Sequence, residues 1–207
     1  PAVLALYRND RMCPHFHMSI QSANTRVLSA MRRQYDAGAV ETALTAIADQ
    51  VPGAFVGMDV IAGFPGETDD EFADTYERLA RLPWTRIHVF PYSERPGTKA
   101  VALEGSVPRD VRMLRSQRLR TLSSERLAEA ANSQVGSVKR VLLLKSGVEG
   151  LSRDYWPVRL NTEGLAADEL HRLTSFVGTE IDVKITGYDR TEASRMDGVL
   201  QGEWVST

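Results

Sequence analysis

The chain has 207 residues, with 25 basic and 27 acidic side chains and one cysteine, Cys13. No run reaches the 18 or more apolar residues of a membrane-spanning helix, and no segment has the charged start and apolar core of a signal peptide, which argues against a membrane or exported protein. A lone cysteine excludes an internal disulfide and suits a reducing cytoplasm, and the length exceeds one ordinary domain while falling short of the ~250 residues of a complete eight-stranded α/β barrel.

The chain starts at Pro1 in a strand-like run, Ala2-Val3-Leu4-Ala5-Leu6, and is read as a carboxy-terminal fragment of a larger protein. Cys13 reads as a small core residue, since no matched base accompanies it. His15 to Ser22 alternates with period two, so a strand is predicted with His15, His17, Ser19 and Gln21 turned inward and Phe16, Met18 and Ile20 turned outward to helices. Val40, Leu44, Ile47 and Val51 recur at helical spacing, and Val51-Pro52-Gly53 ends that helix. Val56 to Ala62 is a buried strand that runs into the loop Gly63-Phe64-Pro65-Gly66-Glu67. In barrels and open α/β sheets ligands bind at this carboxyl end, so a pocket is expected there, with the glycines allowing close backbone approach to a ligand. Thr68 and Glu71 form a capping box, and Asp69 and Asp70 load the positive end of the helix that carries Phe72, Tyr76 and Leu79 and stops at Pro83. Asp59, in phase with Ile61 and Gly63, is expected to point inward and pair with a basic group. Arg86 to Phe90 is a third strand, followed by the loop Pro91 to Thr98, so three strand ends converge on one mouth. Strand and helix alternate throughout, which implies parallel βαβ units.

Pro108 to Asn132 reads as one long helix. Its arginines do not sort to one face, and Arg115 and Arg118 fall among Val111, Leu114 and Leu122. Two readings stand side by side: stems covering apolar surface with heads on carboxylates, or a phosphate-binding surface. After Gly136 the pattern changes to short β runs, Val138 to Lys145, Tyr155 to Leu160, Phe176 to Val177, Ile181 to Ile185 and Val199 to Val205, the pattern of a small antiparallel barrel. From Ser137 on, nine basic residues face eleven acidic ones. That balance leaves no bulk attraction for nucleic acid.

His15 to Ser22 with Val27 to Arg33, then Gly63 to Thr68, then Tyr92-Ser93-Glu94-Arg95-Pro96-Gly97-Thr98 together resemble the second half of the radical S-adenosylmethionine domain of the methylthiotransferases. Cys13 to His17 and His88 to Ser93 are most similar to the branch acting on threonylcarbamoyladenosine in tRNA, a closer likeness than to the isopentenyladenosine or ribosomal-protein branches. The resemblance implies an α/β fold in which residues 1–107 are the carboxy-terminal part of a radical-SAM partial TIM-like barrel, residues 108–136 a closing helix, and residues 137–207 a small all-β TRAM, or OB-like, barrel. It implies S-adenosylmethionine and two [4Fe-4S] clusters as cofactors. The family's Cys-x-x-x-Cys-x-x-Cys motif is absent, so the fragment alone is expected to be inactive. Implied cofactor-binding residues are His17, Gln21, Ser22, Gly63, Phe64, Pro65, Gly66, Glu67, Tyr92 and Ser93; Arg95 is assigned to substrate. Arg153, Tyr155, Trp156 and Arg159 offer an RNA patch of guanidinium groups and rings. Implied partners are the tRNA anticodon arm and an electron donor such as flavodoxin or ferredoxin, in the cytoplasm. Two rivals remain: a metal-dependent hydrolase built on the His15/His17 pair with His88 or His171, and a non-catalytic RNA-binding protein.

Overall fold

The computed structural model describes residues 2–190 and 198–205; Pro1, residues 191–197 and the last two residues of the expected 137–207 domain lie outside the described residues. Two compact units result. The first holds the residues up to Arg8 and Phe16–Arg126, the second Asn9–His15 and the chain from Leu127 onward. The boundary falls within the long helix rather than on either side of it.

In chain order the first unit contains helix α1 (Ala2–Leu6), most of strand β1 (His15–Gln21), helices α2 (Thr25–Ala30) and α3 (Ala37–Gln50), strand β2 (Phe55–Ala62), helix α4 (Asp69–Arg81), strand β3 (Arg86–Pro91) and much of helix α5 (Arg109–Asn132). The strands form one sheet in the order β1-β2-β3, and β2 and β3 are parallel with Asp59 opposite His88. The expected helices of α3 and α4 are present, and both cap as their sequences dictate. Asp36 accepts from the Ala39 N–H, and Thr68 and Glu71 form the reciprocal box. The opening run corrects the reading of Ala2–Leu6 as a strand: it is a helix, in keeping with the strong helix preference of Ala and Leu, and Leu4 packs on the core. Helix α2 follows from Asn24, whose side chain accepts from the Arg26 and Val27 N–H groups.

One face of the sheet carries the core. Met58, Val60, Ala62, Ile87 and Val89 pack with Val40, Leu44 and Ile47 of α3, Phe72 and Leu79 of α4, and Leu119 of α5. Phe16 and Met18 lie against the same cluster, as the alternation of β1 predicts.

The second unit is a closed five-stranded barrel, order β4-β5-β6-β8-β7, from β4 (Val138–Leu143), β5 (Glu149–Ser152), β6 (Pro157–Leu160), β7 (Glu180–Asp189) and β8 (Val199–Trp204), with helix α6 (Ala167–Ser175) between β6 and β7. Val141, Leu143, Val158, Leu160, Val183 and Ile185 alternate into its interior. The expectation of a wholly antiparallel barrel is corrected: β6 and β8 run parallel, because α6 carries the chain across before β7. Phe176 and Val177 form no strand; Phe176 caps α6 through a hydrogen bond to the Leu173 carbonyl. β6 starts at Pro157 rather than Tyr155, since Tyr155 sits in a left-handed turn at φ 69.

Candidate functional site: a polar sheet face under braced loops

The face of the first-unit sheet opposite the core is polar and half-open. It carries His17 and Ser19 from β1, Asp59 from β2, and Arg86 and His88 from β3. His17 Nε2 and Ser19 Oγ both lie 3.0 Å from Asp59 Oδ2, and the His17 and His88 rings stand 5.6 Å apart. The basic partner expected for Asp59 is therefore His17. Burial works against ionisation of Asp59, but the hydrogen bonds from His17 and Ser19 and the nearby His17 and His88 outweigh it and hold the carboxyl below its usual range. Gly57 leaves room for His17: a Cβ there would come within 3.3 Å of Nδ1.

At the carboxyl end of the strands the loops are tied together by arginines. Arg115 Nη1 donates to the Glu67 carbonyl at 3.0 Å and to Glu67 Oε2 at 2.8 Å, and Glu67 Oε2 also accepts the Gly63 N–H at 2.7 Å. Burial raises the Glu67 pKa even against the pull of Gly63 and Arg115. Arg112 donates to the carbonyls of Val107 and Tyr92 and to Ser106 Oγ, and pairs with Glu94 at 2.6 Å. Arg26 bonds the Gly66 carbonyl and pairs with Glu71.

These contacts revise the expected role of the glycine loop. Gly63, at φ 75, is approached by helix α5, and a Cβ there would overlap Arg112 Cγ. The Gly66 N–H is spent on the Gly105 carbonyl and the Glu67 N–H on that of Phe64. Glu67 is a buried brace, and Ser22 is buried with its hydroxyl shared with Thr75 and the Asn24 N–H, so neither presents a group to a ligand. Phe64 and Pro65 are buried, Phe64 edge-on to Tyr92 at 5.4 Å. Gln21 ends β1 buried at φ 65. Tyr92 lies under Arg112, its hydroxyl buried and without a hydrogen-bond partner among the described residues, while Ser93 and Arg95 are exposed. Of the residues assigned to cofactor, His17 stands on the open face, where its side chain is 45% exposed. Ser19, Asp59 and His88 join it there; Ser19 follows from period-two phasing with His17 on β1, and His88 from its register opposite Asp59.

The α5 arginines resolve toward the first of their two readings. Arg118 lies over the Phe72 and Tyr76 rings, Arg120 donates to the Val89 carbonyl, and Arg126 covers Trp84. Among the described residues no three His, Cys, Asp or Glu side chains gather to hold a metal ion. The lone Cys13 likewise does not fit an iron–sulfur cluster, which takes several thiolates. The polar face does fit a small ligand rich in N–H donors, since it offers a partly unused carboxylate.

In the second unit the expected RNA patch divides. Tyr155 is 48% exposed and stacks on His15 at 4.3 Å. Arg159 is partly exposed beside Glu149 at 2.9 Å. Arg153 is mostly covered, donating to the Asp10 carbonyl and lying 3.8 Å from Glu180. Trp156 must be withdrawn from the patch: it is 4% exposed, because alternation from Val158 turns it into the barrel, and a buried ring cannot stack on a base.

Comparison with known proteins gives the following. Residues 1–79 match the model of the radical SAM superfamily. A threonylcarbamoyladenosine tRNA methylthiotransferase of Aquifex aeolicus is 36% identical over 136 residues, 66% of this chain and 33% of that protein. Its counterpart in Treponema pallidum is 43% identical over 110 residues, 53% of this chain and 23% of that protein. A tRNA-2-methylthio-N(6)-dimethylallyladenosine synthase of Thermobifida fusca is 36% identical over 179 residues, 86% of this chain and 35% of that protein. The chain thus spans about a third or less of the length of these relatives.

Proposed function

The chain is a relative of the radical S-adenosylmethionine methylthiotransferases, and from that premise we propose that it works as the carboxy-terminal part of an enzyme that adds a methylthio group to carbon 2 of threonylcarbamoyladenosine beside a tRNA anticodon. The observation that carries this reading is the open polar face of the sheet, formed by Asp59, His17, Ser19 and His88, of which the first three lie in the residues that match the radical SAM superfamily. S-adenosylmethionine, when bound, supplies radical chemistry and a methyl group. What this chain contributes is position: a floor of hydrogen-bonding side chains, and loops held by Arg26, Arg112 and Arg115 so that the mouth keeps its shape. The cluster ligands lie in no part of this sequence, so the chain serves the reaction only within a longer protein. The second unit supports RNA binding through its topology: five strands in the order β4-β5-β6-β8-β7 with a helix before the fourth match an OB-like, TRAM-type barrel. The tRNA anticodon arm, a flavodoxin or ferredoxin as electron donor, and a cytoplasmic setting complete the reading; no described helix is long and apolar enough to cross a membrane.

A second substrate is favoured by one observation. Two dimethylallyladenosine synthases match 86% and 89% of this chain and three more match 67%, whereas three threonylcarbamoyladenosine enzymes match 53% to 66%. Nucleoside mass spectrometry decides between the two. The full-length protein, expressed in a host lacking its own methylthiotransferases, should yield tRNA with 2-methylthio-threonylcarbamoyladenosine. The dimethylallyl product alone would transfer the assignment to the second substrate, and neither product would refute the enzyme reading.

A further inference from the structure

The turn between β5 and β6 holds a conformation that its own residue resists. The Tyr155 N–H closes the turn on the Ser152 carbonyl at 2.8 Å, and the Ser152 N–H reaches the Trp156 carbonyl at 2.9 Å, which leaves Tyr155 in the left-handed region at φ 69. Glycine is the unstrained choice at that position of a three-residue hairpin loop, and a bulky residue there is an outlier that its surroundings must impose. A buried network does so. Lys139, reaching over from β4, pairs with Asp154 Oδ2, while Ser152 Oγ donates to Asp154 Oδ1 at 2.6 Å and accepts the Trp156 N–H at 2.9 Å; Ser152 and Asp154 are both buried.

What the strained turn presents is an exposed ring. Tyr155 is 48% exposed and lies with one face on His15, at 4.3 Å between ring centres and 26° between planes; among the described residues no other ring stands against it. The cations around the turn are already matched, Lys139 by Asp154, and Arg140 and Arg153 by Glu180 at 3.0 and 3.8 Å. A surface whose charges are spent and whose ring is open suits a flat ring better than a phosphate.

We propose that Tyr155 is a stacking platform for an unpaired RNA base, backed by His15, with Lys139, Asp154 and Ser152 as the positioning residues that hold its ring out of the barrel. This inference rests on the methylthiotransferase reading and deepens it, the anticodon loop of tRNA being the source of such a base. Stacking releases no counterions, so its share of the affinity is insensitive to salt.

Binding of tRNA to the full-length protein over a salt series, with hydrogen exchange of the β5 and β6 peptides alongside, tests it. Tyr155→Gly relieves the left-handed strain and removes the ring, so exchange should hold or slow while tRNA affinity falls by about tenfold to a hundredfold. Tyr155→Leu keeps a bulky side chain without a π face and should lose as much. Lys139→Met removes the support and should lower affinity by a smaller factor at an unchanged salt slope, whereas a lysine that bound phosphate would lower the slope by about one. A fully paired RNA duplex should bind wild type and both Tyr155 variants alike. Wild-type tRNA affinity in Tyr155→Gly or Tyr155→Leu, a changed slope in Lys139→Met, or an equal loss for the duplex would overturn the inference. So would faster exchange in Tyr155→Gly, because the ring would then be a packing group. The outcome is separable from that of the preceding section: methylthiolated tRNA with indifferent Tyr155→Gly binding sinks this inference alone, whereas selective loss of tRNA binding without any methylthiolated product sinks the enzymatic reading and leaves the platform.

Discussion

Replacing Arg115 by methionine removes one half of a buried ion pair and keeps the bulk of the stem. In the wild type the Glu67 side chain is 1% exposed and that of Arg115 6% exposed, and among the described residues the only other hydrogen bond to the Glu67 carboxylate is the 2.7 Å one from the Gly63 N–H. Arg115→Met therefore strands a charge in the interior, which costs about 3 to 5 kcal/mol. Asp69, the second partner of Arg115, is 93% exposed and adds little. In hydrogen exchange followed by mass spectrometry, the β2 and β3 peptides should exchange about a hundredfold to a few thousandfold faster at pH 7.5, while the β4 to β8 peptides hold their rates. The pH dependence has a definite sign. The Glu67 pKa is raised in the folded chain, so its charged form is a liability above that pKa and protonation relieves it. The deficit of Arg115→Met should thus shrink as pH falls toward 5. Arg115→Met with Glu67→Gln removes both charges and should recover most of the loss. A change below about fivefold at pH 7.5, or a double variant no better than the single, would refute the view that this pair braces the loop.

Three further outcomes are expected. Anaerobic reconstitution of this chain alone with iron and sulfide should give no stoichiometric four-iron cluster, since Cys13 is its single thiol; four irons per chain by metal analysis would contradict this. Gly202→Ala should destabilise the barrel by about 1 to 3 kcal/mol, because a Cβ there would overlap Val183 and stand 2.9 Å from the Lys184 carbonyl; unchanged exchange of the β7 peptides would count against it. In tRNA binding measured over a salt series, the slope should correspond to roughly two to four phosphates, and Tyr155→Ala should cost about 1 to 3 kcal/mol; a silent Tyr155→Ala in a folded chain removes that ring from the interface.

What the sequence makes legible here is what local rules control. Thr68 and Glu71 can be read as a capping box because both partners lie within one turn, and Asp59 can be placed on the inner face because β2 keeps its phase from Met58 to Ala62. Elements held by few local signals escape. β5 is four residues long and contains Gly150, while in α6 Leu173 is the one buried residue of nine. Partners distant in sequence escape as well. Nothing local to Gly63 announces that Arg112, 49 positions on, fills the space a side chain would need, a packing reason for glycine that the sequence does not show. Trp156 shows the opposite limit: its burial follows from the alternation of Val158 and Leu160, which was present in the sequence and pointed inward.

The arginines of α5 carry the last step. A row of cations beside a candidate nucleotide site invites a phosphate-binding role, yet a guanidinium can offer a phosphate only the donors that the protein has left over. Arg112 spends its donors on Val107, Tyr92, Ser106 and Glu94, and Arg115 directs Nη1 and Nη2 to Glu67 and Asp69, while its Nε is buried out of reach of a phosphate. The effect of that spending, with the Arg26 contacts to Gly66 and Glu71, is mechanical: the loops that follow β2 and β3 are fixed to helices α2 and α5. The proposed reaction would need its reactants held in register and shielded from water, and rigidity at the mouth would serve that need. Recognition then falls to the groups that the braces leave unused on the sheet face. Among these, Asp59 combines a carboxyl held below its usual pKa range with an orientation fixed by His17 and Ser19, each 3.0 Å away, on the open face of the sheet.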